Sequence, residues 1–182
     1  MNTRKIFVGV NVAPSAVKLI LRKLRDFDEL PIRWGKGESW RLVLEFAGHW
    51  DDASLPEFLA GVGQAAQSVE VHDIVFDKIE LGPDAQRAKM VWLTSTTPQV
   101  QYANLRTAIS RVLAPLTPQH TPSCPHITLG RIRQAAWREL SSTPTISRTV
   151  SIVIPIEAVT VWESTTIDGA NAYVPLAEYP LG

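Results

Sequence analysis

One stretch of this chain occurs twice. Pro125-His126-Ile127-Thr128-Leu129-Gly130-Arg131 has a counterpart 85 residues upstream, where Arg41-Leu42-Val43-Leu44 sits in the same kind of apolar setting. Val91-Trp92-Leu93 precedes the later copy as Ile6-Phe7-Val8 precedes the earlier, again 85 residues apart. Pro14 and Pro98 open the intervening helical patterns at an offset of 84. Such a duplication restricts the fold to two similar strand–helix–strand units. The copy is imperfect at one place: the second unit carries His126 and Thr128 where the first carries Arg41 and Val43.

Side chains alternate along a strand, so His126 and Thr128 share one face while Ile127 and Leu129 point into a core. An imidazole that moves protons near neutral pH, beside a hydroxyl that donates hydrogen bonds, suits an anionic oxygen. A lone strand histidine is more often a satisfied structural residue. Its place in a duplicated motif is what raises the functional reading.

Several further stretches stand in matching order. They are Ile6-Phe7-Val8-Gly9-Val10 at the start, Arg33-Trp34, Leu44-Glu45-Phe46-Ala47-Gly48, and the closing Trp162-Glu163-Ser164 and Gly169-Ala170-Asn171-Ala172-Tyr173. With the His126 motif they make the chain resemble the 2H phosphoesterase superfamily, in particular the bacterial RNA 2′,3′-cyclic phosphodiesterases, also called 2′-5′ RNA ligases. The resemblance spans nearly the whole chain. It implies an α+β fold of two pseudo-symmetric β-α-β lobes whose antiparallel sheets face a central cleft, with residues 1–182 as one domain. It also implies hydrolysis of a 2′,3′-cyclic phosphate by in-line attack of water, one histidine acting as base and another as acid, without metal or cofactor. His126 and Thr128 are the catalytic residues so implied.

The first motif departs from that pattern. A guanidinium effectively never deprotonates in proteins, so Arg41 cannot replace a proton carrier. It can hold a phosphate through a bidentate, charge-assisted pair, and Val43 removes a donor. Glu45 shares the Arg41 face by strict alternation but stands about 13 Å further along an extended strand. His49 belongs to the following turn, and His120, on the loop leading to the second motif, is a better replacement than His72. By alternation Arg131 faces away from the cleft, unless a bulge at Gly130 turns it inward to bind phosphate. Trp34 is read either as a base-stacking ring or as core.

The expected function is therefore a phosphodiesterase-like protein acting on cyclic phosphate ends of RNA or nucleotides, impaired by Arg41 and Val43. The alternative is a non-catalytic module of the same fold that binds a nucleotide or RNA phosphate. Lys+Arg and Asp+Glu each number 18, so there is no bulk attraction to nucleic acid and any RNA contact must be a local cluster. The single cysteine, Cys124, excludes an internal disulfide and reads as a buried thiol in a reducing cytoplasm. No signal peptide or membrane span is legible, and a monomer is expected.

Periodicity places strands at 5–12, 39–47, 69–81, 89–95, 149–163 and 172–176. Leu42, Leu44 and Phe46 point inward in the second of these, with Arg41, Val43 and Glu45 opposite. Helices are expected from Pro14 with a stripe of Val17, Ile20, Leu21, Leu24 and Phe27, from Ser54 through a capping box, over 98–113 and over 134–141.

Overall fold

The structure, a computed structural model, describes residues 3–113, 124–167 and 170–182. Among them nine strands form one antiparallel sheet in the order β7-β4-β5-β6-β3-β1-β8-β9, with short β2 added to β6. The first lobe comprises β1 (Thr3–Asn11), β3 (Arg41–Asp51), β8 (Ala158–Ile167) and β9 (Ala170–Pro180). The second comprises β4 (His72–Gly82), β5 (Met90–Thr94), β6 (His126–Ile132) and β7 (Ser147–Ile156), joined by β2 (Ile32–Trp34). The two lobes meet at a single ladder pair, Leu42 with Ile127, from which β3 and β6 diverge. This is the expected α+β, pseudo-symmetric arrangement, its two half-sheets joined at that seam.

The described residues hold four α-helices: α1 (Pro14–Leu24), α2 (Leu55–Gln67), α3 (Val100–Leu113) and α4 (Gln134–Arg138). Two of them cross between lobes. Helix α1, which follows β1 of the first lobe, packs on β7 of the second, and α3, which follows β5 of the second, packs on β3 of the first beside α2. One continuous core results, with Val8, Leu44, Ile74, Ile79, Leu93, Leu105, Ile109 and Ile127 fully buried. In α1 the expected Ile20 and Leu24 are buried, with Val17 and Phe27 packed beside them, but Ala16 completes the stripe and Leu21 faces solvent.

Other departures are local. The strand-like stretch at 149–163 is the end of β7 and the start of β8, broken at Glu157, and the two halves lie in opposite lobes. Ser54 makes no capping hydrogen bond; its hydroxyl and amide both donate to Asp51 Oδ1. Cys124 is exposed rather than buried. His120 and the 168–169 turn lie outside the described residues.

Two bulges decide what faces the cleft. In β3 the register on β1 slips between Glu45–Val8 and Val43–Gly9, leaving Leu44 as an extra residue. In β6 the register on β5 slips between Gly130–Val91 and Thr128–Trp92, leaving Leu129 extra. A bulge reverses the alternation beyond it. Leu44 and Leu129 are themselves 85 residues apart, so the duplication extends to the irregularity. At Leu129 the freed carbonyl accepts from Trp40 Nε1 at 3.1 Å and from the Gly35 amide at 2.8 Å.

Candidate functional site

A cavity of about 700 Å³ opens along the seam, lined from both lobes. It brings together all five residues singled out from the sequence: His126, Thr128, Arg41, Arg131 and Trp34. Extending the Leu42–Ile127 register places Arg41 opposite Thr128 and Val43 opposite His126 across the seam. The pseudo-twofold thus passes through the middle of the site.

His126 and Thr128 occupy one face of β6, before the bulge. The imidazole lies on the Trp92 ring, centroids 4.2 Å apart. Its Nδ1 stands 3.4 Å from the Cys124 carbonyl. A carbonyl only accepts, so the contact selects the Nδ1–H tautomer and leaves Nε2 a lone pair. Burial pushes the imidazole below the ordinary histidine value, the Cys124 bond works in the other direction, and nearby Arg106 lowers it further. Neutral pH therefore finds a neutral ring, the state a general base requires. The Thr128 hydroxyl has only a 3.9 Å contact to Met90 Sδ and is free to donate to a ligand.

Arg41 is held differently from a motif histidine. Its Cζ lies 4.0 Å above the Trp162 ring and 5.6 Å from Tyr173, and Nη1 donates to the Glu38 carbonyl at 3.0 Å. Nε is buried without a partner. Burial lowers the guanidinium below the usual arginine value while Tyr173 raises it, and at neutral pH it stays a cation.

The ladders show why Arg41 and His126 each rest on a tryptophan, yet on different strands. Gly9 pairs with Val43, and Trp92 pairs with Thr128, so ladder positions equate Gly9 with Trp92, 83 rather than 85 residues apart. One strand further out, Trp162 pairs with Phe7 and Gly82 with Met90, the equivalent places. Large and small are exchanged between lobes. A Cβ on Gly82 would stand 2.3 Å from the Trp92 ring, so glycine there makes room for the indole under His126. In the first lobe the Gly9 position carries no ring, and Arg41 lies over Trp162 one strand further out.

Past the bulges, the faces depart from simple alternation. Arg131 is turned into the cavity, the inward placement a bulge would allow. Glu45 goes the other way. It leaves the Arg41 face and is buried under α3, where Arg106 Nε at 3.1 Å and the Ser110 hydroxyl at 2.6 Å donate to its Oε1. Phe46, read as a core residue, is instead 47% exposed and lines the cavity. Trp34 packs on the core and on Gly130, while its edge reaches the cavity with Nε1 unpartnered. His49 and His72 are not lining residues, so among the described residues His126 is the imidazole of the site.

Sequence reasoning missed Lys5, Arg33, Phe46 and Tyr173, which also line the cavity. Counted with Arg41 and Arg131, the described lining holds four cations and no carboxylate, in a chain whose charges balance overall. Such a wall attracts anions. Among the described residues no three His, Cys, Asp or Glu side chains converge as a metal site would require, and no helix is long and apolar enough to cross a membrane.

No protein-family model matches the chain, and no curated protein matches it. Solved structures do. E. coli LigT complexed with 3′-AMP superposes with a TM-score of 0.81 at 19% identity, covering 99% of both chains. A crystal structure of a phosphoesterase gives 0.79 at 19%, again over 99% of both. The TT0787 protein of Thermus thermophilus gives 0.74 at 16%, over 97% of both. The chain shares the fold of LigT, of that phosphoesterase and of TT0787 over nearly its whole length.

Proposed function

We propose that this protein acts on the 2′,3′-cyclic phosphate ends of RNA or nucleotides as a metal-independent phosphodiesterase-like protein, slowed by the loss of its second imidazole. One observation carries the reading: among the described residues a cleft lined by cations and no carboxylate surrounds His126, whose Nδ1–H contact leaves a lone pair on Nε2, with the Thr128 hydroxyl on the same face. In this reading His126 Nε2 takes a proton from water as its oxygen attacks phosphorus. Thr128, Arg41 and Arg131 hold the non-bridging oxygens, and the leaving ribose oxygen takes its proton from solvent. Structures of LigT with 3′-AMP, ATP and phosphate support a nucleotide phosphate as the ligand for this fold. The full chain of 182 residues is read as one domain working as a monomer in the cytoplasm.

A second reading, a phosphate-binding module without turnover, is favoured by Arg41, since its guanidinium is pinned on Trp162 and Glu38 and carries no transferable proton. Incubation with nucleoside 2′,3′-cyclic phosphates separates the two. Turnover that His126→Ala abolishes supports the enzyme. Binding without turnover, weakened by Arg41→Ala, supports the module. Neither binding nor turnover overturns both.

A further inference from the structure

Arg33 is a cleft cation that the reading above leaves without a task. It pairs with Arg131 as a direct ladder partner between β2 and β6, which places both side chains on the same face, and both line the cavity. Like charges directly opposite each other on a sheet repel. Neither arginine has a carboxylate partner among the described residues; the one side-chain contact of Arg131 is a 3.9 Å approach to Met90 Sδ. Two further exposed cations stand where this edge leaves the cleft. The Ile132 amide donates to the Lys89 carbonyl, and the Arg133 amide to the Pro31 carbonyl, so the segments carrying Lys89, Arg131, Arg133 and Arg33 converge there. A fold tolerates such an unneutralised row where an anion is meant to sit between the charges.

The row also has a direction. Because Leu129 is the extra residue of the bulge, Arg131 stands two ladder steps from Thr128, Met90 against Trp92, about 7 Å at strand rise, on the second-lobe side of the seam. A phosphate held at Thr128 and His126 within reach of Arg131 leaves Arg33, across the ladder on β2, to meet another. We infer that the Arg33–Arg131 pair is a second phosphate subsite, which takes the phosphate on the 5′ side of the nucleotide whose cyclic phosphate meets His126. Arg131 would then bridge the two phosphates and Arg33 would hold the outer one. The preferred ligand becomes an RNA end, or any nucleotide phosphorylated at both ends, rather than a mononucleotide. This rests on the proposed function and deepens it.

Two probes isolate the second phosphate without adding a second base: a nucleoside 2′,3′-cyclic phosphate, and the same nucleoside carrying a 5′-phosphate as well. Calorimetry across a salt series should show the doubly phosphorylated probe binding wild type about tenfold tighter or more, an advantage expected to shrink as salt screens and competes. Its log K against log salt should be steeper by about 0.7, the increment for one further phosphate contact on a single strand. Arg33→Gln should erase most of this preference and Arg33→Lys should keep part of it. The melting temperature of unliganded Arg33→Gln should be unchanged or raised, because a repulsion has been removed. Equal affinities for the two probes, or a preference that survives Arg33→Gln in a folded protein, overturns the subsite alone. If neither probe binds, the proposed function falls and the subsite with it.

Discussion

At the scale of single residues, the site depends on which proton each group holds. His126 titrates below the ordinary histidine value because its ring is buried on Trp92, and its Nδ1–H is committed to Cys124. A base must be neutral to act, so the rate should rise with pH through a midpoint below about 6.5 and be level above it. A pH–rate profile for cyclic phosphate hydrolysis checks this, and a midpoint above the ordinary value would contradict the burial argument. Arg41 is the complementary case. Replacing both residues of the first motif, Arg41→His with Val43→Thr, should raise turnover at least about tenfold, the low side of what an acid–base partner contributes. Both changes are needed because the register sets position 43 opposite His126, and the new imidazole alone would leave that side of the phosphate without a donor. Single-turnover rates of the double variant falling at or below those of wild type would show that the chemistry does not use this position.

At the scale of elements, the bulges do the positioning. Leu44 and Leu129 each insert one residue, and the residues next along change face: Phe46 and Arg131 enter the cleft, and Glu45 leaves it. In β3 the bulge is tied down by the buried Glu45–Arg106 pair, which fastens α3 to the strand. Removing one partner of a buried pair takes away the charge that offsets the other's desolvation. Glu45→Ala should therefore cost about 3 kcal/mol, the lower end of the usual range because Arg106 keeps some contact with solvent. Urea unfolding midpoints measure this. A loss of less than about 1 kcal/mol, in the range of a surface ion pair, would show that the bulge holds without it.

For the molecule as a whole, the helices matter more than the seam. β3 and β6 share one ladder pair, yet α1 packs on the opposite lobe and α3 does the same in return. Neither lobe can therefore open without exposing the core of the other. Heat should unfold the protein in one cooperative transition, with calorimetric and van't Hoff enthalpies in agreement. Two separated transitions would show lobes that fold independently and would contradict the exchanged helices.

The chain itself determined the duplication, the strand periods, the two equivalent motif positions and the charge difference between His126 and Arg41. All of these are local, set by side-chain identity and a period of two or of 3.6. Tertiary structure decided the rest. A period-two pattern cannot distinguish an offset of 85 from one of 83, so the exchange of Trp92 and Gly82 for Gly9 and Trp162 appears only in the ladders. Nor can it show a bulge, because the extra residue exists only relative to a neighbouring strand. Glu45 reads as a cleft carboxylate until β1 slips past β3 and α3 brings Arg106 and Ser110 to meet it. Arg33 carries no site reading in the sequence until β2 sets it against Arg131. Faces and partners are properties of pairing between distant segments, and pairing is settled by what waits on the other side of the sheet.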